Sequence, residues 1–99
     1  MSLIAVTRFE AVDPVEATEV RDRHTALVEA VRAATPGLTE ARLGRLADGQ
    51  WVGVWRWDSP ATLKSVRELA PNLPEVKAAF ALVREGTAAV DEIEVVDEL

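Results

Sequence analysis

Residues 38–57, LTEARLGRLADGQWVGVWRW, decide the fold. Asp48-Gly49 within them is a strong hairpin signal, because a tight turn needs backbone conformations that aspartate tolerates and glycine adopts freely. The flanks predict two antiparallel strands, about Leu38 to Leu46 and Trp51 to Trp57. Side chains on a strand alternate between faces, so Trp51, Trp55 and Trp57 point one way while Val52 and Val54 point the other. Both faces of the hairpin are apolar, and each needs a cover.

The segment before the hairpin predicts a strand and a helix. Leu3 to Val12, LIAVTRFEAV, is rich in β-branched and aromatic residues and has no turn former. It too is apolar on both sides, with Ile4 and Val6 opposing Leu3, Ala5 and Phe9. Asp13, Pro14 and Glu16 then give a helix start: an amide-capping carboxylate, a proline suited to the first helical position, and the acid of a capping box. Val20, Leu27, Val28 and Val31 recur at helical spacing as one stripe, and Glu19 and Arg23 are placed as an i,i+4 ion pair. Thr35-Pro36-Gly37 ends that helix.

After the hairpin, Ser59-Pro60 opens a second helical region. Pro71 and Pro74 interrupt it, Val76, Phe80 and Val83 continue it on one face, and Gly86 is the expected stop. Ala89 to Val96 predicts a last strand, with Ile93 and Val95 on one side and Glu92 and Glu94 on the other. The order β-α-β-β-α-β is that of a ferredoxin-like α+β sandwich, a four-stranded antiparallel sheet with both helical regions on one face. Its other face would be left bare. An open apolar sheet is a liability, and a second copy of the sheet is the expected cover.

Composition agrees with one domain spanning 1–99. The chain is 48% hydrophobic and 28% charged, and without cysteine it must rely on packing or on a partner subunit for stability. Its 17 Asp+Glu exceed 11 Lys+Arg, a net charge of −6 that repels phosphate backbones, so neither nucleic acid nor an anionic membrane is an expected partner. No apolar run approaches the roughly 18–20 residues of a membrane span, the N-terminal residues show no basic region followed by a long apolar stretch, and a cytoplasmic location is expected. One histidine and no cysteine cannot supply a typical zinc or non-haem iron site, so no metal is expected. No glycine-rich phosphate loop or nucleophile-elbow serine occurs.

Thr7-Arg8-Phe9, Pro36-Gly37, Asp48-Gly49, the run Val54-Trp55-Arg56-Trp57-Asp58-Ser59 and Val76-Lys77-Ala78-Ala79-Phe80, in that order and spacing, make the chain resemble the antibiotic-biosynthesis-monooxygenase family. The resemblance covers nearly the whole chain. It implies a homodimeric α/β barrel in which two ferredoxin-like sheets join face to face. It also implies a cofactor-independent monooxygenase acting on a small electron-rich aromatic of polyketide or quinol type. The haem-degrading branch of that family is similar in carrying an asparagine, a tryptophan and an axial histidine where this chain has Thr7, Trp57 and Phe80. Phenylalanine offers iron no lone pair, so haem is not expected.

On this resemblance, Trp57, Trp55, Thr7, Phe9 and Phe80 are the candidate ligand-binding residues, with Trp55 and Trp57 as the wall of a cavity for a flat ring. Ordinary core packing is the competing interpretation of the two indoles. His24, the single histidine, falls inside the apolar stripe of the first helix and therefore points at the sheet. With an unperturbed pKa of about 6.5 it is the candidate base that takes a proton from a phenol, and a buried core histidine is its plainer alternative. Arg8 or Arg56 is the candidate stabiliser of the resulting oxyanion. The chain has no tyrosine and its one asparagine, Asn72, lies between two prolines, which leaves open a non-catalytic homodimer of the same fold that binds a small ligand or another protein.

Overall fold

The computed structural model describes residues 2–13 and 15–99. In chain order it contains β1 (Leu3–Phe9), α1 (Ala17–Ala34), β2 (Leu38–Arg45), β3 (Trp51–Trp57), α2 (Pro60–Leu69), a 3-10 turn (Ala70–Asn72), α3 (Pro74–Phe80) and β4 (Ala89–Glu94). The strands form one antiparallel sheet in the order β2-β3-β1-β4. This is the ferredoxin-like arrangement expected from the sequence. Among the described residues no helix is long and apolar enough to cross a membrane.

The hairpin closes as Asp48-Gly49 predicts, although with a longer loop. Leu46 N–H donates to Gln50 O at 2.8 Å, Asp48 Oδ1 accepts from Gln50 N–H at 2.9 Å, and Gly49 takes φ +91°, so β2 stops at Arg45. Ser59 caps α2 by accepting from Thr62 N–H at 3.3 Å, with Pro60 at the first helical position. Gly37 precedes β2 at φ +139°, and a Cβ there would run into the Thr62 side chain. The turn into β2 is thus packed against the start of α2.

Four boundaries differ from expectation. β1 ends at Phe9, since beyond it the chain leaves β3 and pairs elsewhere: Ala11 bridges to Val83, Val12 N–H donates to Leu82 O at 2.9 Å, and Arg84 N–H donates to Glu10 O at 2.8 Å. That same pairing ends the second helical region at Phe80 rather than Gly86. Leu82 is drawn into the core, and Gly86 sits in the following turn at φ +82°. Helix α1 begins at Ala17, with Glu16 as an N-cap that makes no side-chain bond. Asp13 does not cap it, and its exposed carboxylate lies 3.4 Å from the Arg84 guanidinium instead. The expected role of Pro14 falls outside the described residues. β4 closes at Glu94, two residues short of Val96, with Val95 N–H donating to Ser2 O at 3.1 Å.

The helices cover one face of the sheet. Leu3, Val28, Val31, Leu38, Trp57, Leu63 and Val66 form the larger core cluster there, and Val20, Trp51 and Leu82 form a smaller one. Residues alternating with these, namely Ile4, Val6, Val52 and Val54, are half-buried on the other face. No helix lies over them.

Candidate functional site

A cavity of about 300 Å³ lies between the sheet and the helices and borders both core clusters. Its sheet wall comes from the helix-facing parity of β1 and β3: Ala5, Thr7, Phe9, Gly53, Trp55 and Trp57. The absence of a side chain at Gly53, between Trp51 and Trp55, contributes to the space. A Cβ at that position would meet only Trp55 Nε1, at 3.9 Å. The helix wall includes His24 on α1, Arg67 on α2, and Val76, Ala79 and Phe80 on α3. The second helical region breaks at Pro71 and Pro74, and beyond the break α3 lines the cavity through Val76, Ala79 and Phe80.

Helical spacing from Val20 and Leu27 carries His24 toward the sheet, where Trp55 Nε1–H donates to its Nε2 at 2.9 Å. The two rings meet edge to face, with centroids 5.7 Å apart and planes at 71°. Burial pushes the His24 pKa below its ordinary 6.5, because an imidazolium would lose hydration there. Trp55 also meets Trp57, at a centroid distance of 6.0 Å and a 49° tilt. Trp57 is only 2% exposed, so it is core and cavity wall at once. Its Nε1–H is sealed from water and has no acceptor among the described residues.

All five proposed ligand-binding residues and His24 line this cavity, Phe80 from its exposed rim. Arg8 and Arg56 do not. They project from the opposite face of the sheet, where Arg8 pairs with Asp91 at 3.4 Å and Arg56 donates to Ser2 Oγ at 3.0 Å and pairs with Glu98. Period-two alternation accounts for this, since Arg56 separates Trp55 from Trp57 and Arg8 separates Thr7 from Phe9. The arginines that do line the cavity are Arg23 and Arg67. Arg23 Nη1 donates to Ala78 O at 3.0 Å and Nη2 meets Glu19 at 3.2 Å, the ion pair foreseen in the sequence, while Arg67 holds Glu92 of β4 at 2.8 Å. Helical spacing carried the signal: Arg67 follows Leu63 by four residues, and Arg23 follows Val20 by three and precedes Leu27 by four.

The chemistry available is therefore that of a small apolar chamber with an imidazole and two guanidinium groups. No group of three or more potential metal ligands occurs among the described residues.

No protein-family model and no curated protein matches the chain. Solved structures do. It is similar to SnoaB, a cofactor-independent oxygenase from Streptomyces nogalater, at 21% identity over 99% of this chain and 96% of that one, with a TM-score of 0.75. The ActVA-Orf6 monooxygenase of Streptomyces coelicolor, in complex with nanaomycin D, is similar at 19% identity over 99% and 90%, with a TM-score of 0.76. A dimeric ferredoxin-like protein of unknown function from Jannaschia sp. CCS1 is similar at 19% identity over 96% and 100%, with a TM-score of 0.70. These likenesses establish a shared fold, the one the family resemblance implied.

Proposed function

We propose that this protein is a cofactor-independent monooxygenase that binds a small electron-rich aromatic, of polyketide or quinol type, in the cavity between sheet and helices. The cavity itself carries this reading. A volume of about 300 Å³ is of ligand size, the walls are apolar, and the few polar groups converge on one chamber. Two structurally similar proteins are described as oxygenases, which supports the reading at the level of fold.

In such a reaction the substrate is its own reductant. In an anthrone a ring methylene becomes a carbonyl, and in a hydroquinone a ring C–H becomes C–OH as the quinol becomes the quinone; in both, one atom of O2 enters the substrate and the other leaves as water with the two hydrogens the substrate loses. The chain's part is to bind the ring, favour its anion and keep bulk water out. Trp55, Trp57, Phe9 and Phe80 hold the ring, with Thr7 at the sheet wall. Arg23 and Arg67 take over the oxyanion role first given to Arg8 and Arg56, because they reach the cavity. His24 contacts the substrate, although Trp55 already occupies the Nε2 lone pair that a base would use.

The working form in this reading is a homodimer closed over the bare sheet face. Half-buried Ile4, Val6, Val52 and Val54 make that face apolar, charged pairs such as Arg8–Asp91 fringe it, and the similar Jannaschia protein is dimeric. Arg8 and Arg56 then belong to the subunit interface.

Oxygen uptake with a panel of anthrones and hydroquinones, without added cofactor, tests the reading. Uptake matched by quinone formation and reduced at least tenfold in Arg67→Ala and His24→Ala is the expected result. Uptake no faster than the uncatalysed rate would leave the second reading, a non-catalytic ligand-binding dimer. One observation favours that alternative: no carboxylate, lysine or tyrosine lines the cavity to act as a base in place of His24.

A further inference from the structure

An indole nitrogen can donate a hydrogen bond and cannot accept one. With Trp55 Nε1 2.9 Å from His24 Nε2, that imidazole nitrogen must present its lone pair, and the neutral ring must carry its hydrogen on Nδ1. Burial favours the neutral ring. Nδ1 has no partner among the described residues, and it is not one of the polar atoms sealed from water. His24 therefore offers an open donor where a base would offer a lone pair.

The rest of the cavity is biased the same way. Although the chain has 17 acidic residues, none of the described ones lines the chamber, and the charged side chains among the described lining residues are Arg23 and Arg67. Against these donors the lining side chains supply one free acceptor, the Thr7 hydroxyl. In this acceptor-poor chamber the Nδ1–H of His24 has no protein acceptor among the described residues until a ligand brings an oxygen lone pair.

We propose that the cavity selects aromatic ligands by their hydrogen-bond acceptors, a ring carbonyl or phenolate oxygen being received by Nδ1–H of His24, and that Trp55 is the positioning residue that fixes this tautomer. The proposal rests on the reading of the cavity as an aromatic-ligand site and is independent of whether oxidation follows.

The chain has a single histidine, so a long-range proton–nitrogen correlation spectrum of 15N-labelled wild type shows one imidazole. The expected pattern at neutral pH is the Nδ1–H tautomer, giving way to a tautomer mixture in Trp55→Phe. Binding is then compared for 1-tetralone and tetralin, which differ in one carbonyl oxygen. The ketone is expected to bind about 3- to 10-fold more tightly than the hydrocarbon, the range of one net hydrogen bond. His24→Phe is expected to erase the difference, and His24→Gln, which keeps an N–H donor, to restore part of it. Hydrogen on Nε2, equal affinity of wild type for the two compounds, or a ketone preference that survives in His24→Phe would overturn the proposal. Failure of both compounds to bind would overturn it together with the cavity reading. Both measurements are made without oxygen, so a protein that prefers the ketone yet consumes no oxygen keeps this assignment and loses only the oxygenase.

Discussion

The sheet presents apolar side chains on both faces, yet the two faces differ in how they are covered. On the helix side Leu3, Trp51 and Trp57 are buried, and the space that α1, α2 and α3 leave unfilled is a chamber rather than solvent. On the other side Ile4, Val6, Val52 and Val54, drawn from the same two central strands, are only half-buried because nothing in the chain lies over them. Neighbouring residues of one strand thus meet different surroundings: Trp55 and Trp57 line a cavity, while Val54 and Arg56 lie on the face that no helix covers. Burial here depends on the cover as much as on the residue type.

The largest effect is expected from attacking the bare face. Val54→Asp places a carboxylate at the centre of the proposed subunit contact, where desolvating an unpaired charge costs on the order of several kcal/mol. Light scattering should then report a monomer where wild type gives a dimer. A monomeric wild type would erase the contrast between the faces, leaving the second as ordinary solvated surface.

On the covered face, Trp57→Ala should lower unfolding stability by about 3–5 kcal/mol, the usual cost of removing a buried tryptophan. Denaturant melts check this. A loss well under 1 kcal/mol would mean that the indole is chamber wall alone.

The smallest effect concerns His24 and its pH dependence. Its native pKa lies below 6.5, so between the native and unfolded values the unfolded chain binds more protons than the native one. Stability is expected to fall as pH drops below about 6.5 and to stop falling, on this account, below the native pKa. His24→Gln should remove that component, which is read as the difference between the two proteins' melting temperatures across the pH series.

Much of the fold was legible because local and tertiary signals agree. Asp48-Gly49, the Ser59-Pro60 cap and the shared parity of the three tryptophans each point to the element observed. Where they disagree, tertiary pairing prevails. Nothing local in Glu10-Ala11-Val12 announces that it will leave β3 for Val83, and that one exchange moves the end of β1 and of the second helical region together. The site was legible in part. Period two already opposed Arg56 to Trp57, and helical spacing already placed Arg67 with Leu63, so the arginines could have been sorted from periodicity. The hydrogen bond from Trp55 to His24 could not, since it depends on the distance between α1 and β3.

Helix α3 contributes no buried side chain to the core, and its Ala78 carbonyl is held to α1 by the Arg23 guanidinium. With no fully buried residue of its own, α3 is expected to open locally at a lower free energy than the sheet beneath it. Local opening of these seven residues, Pro74–Phe80, would uncover the Val76, Ala79 and Phe80 wall of the chamber. Amide hydrogen exchange would follow that step directly: α3 should exchange earlier than β1 and β3, and an occupant packed beneath it should slow its exchange while leaving the sheet amides as they were.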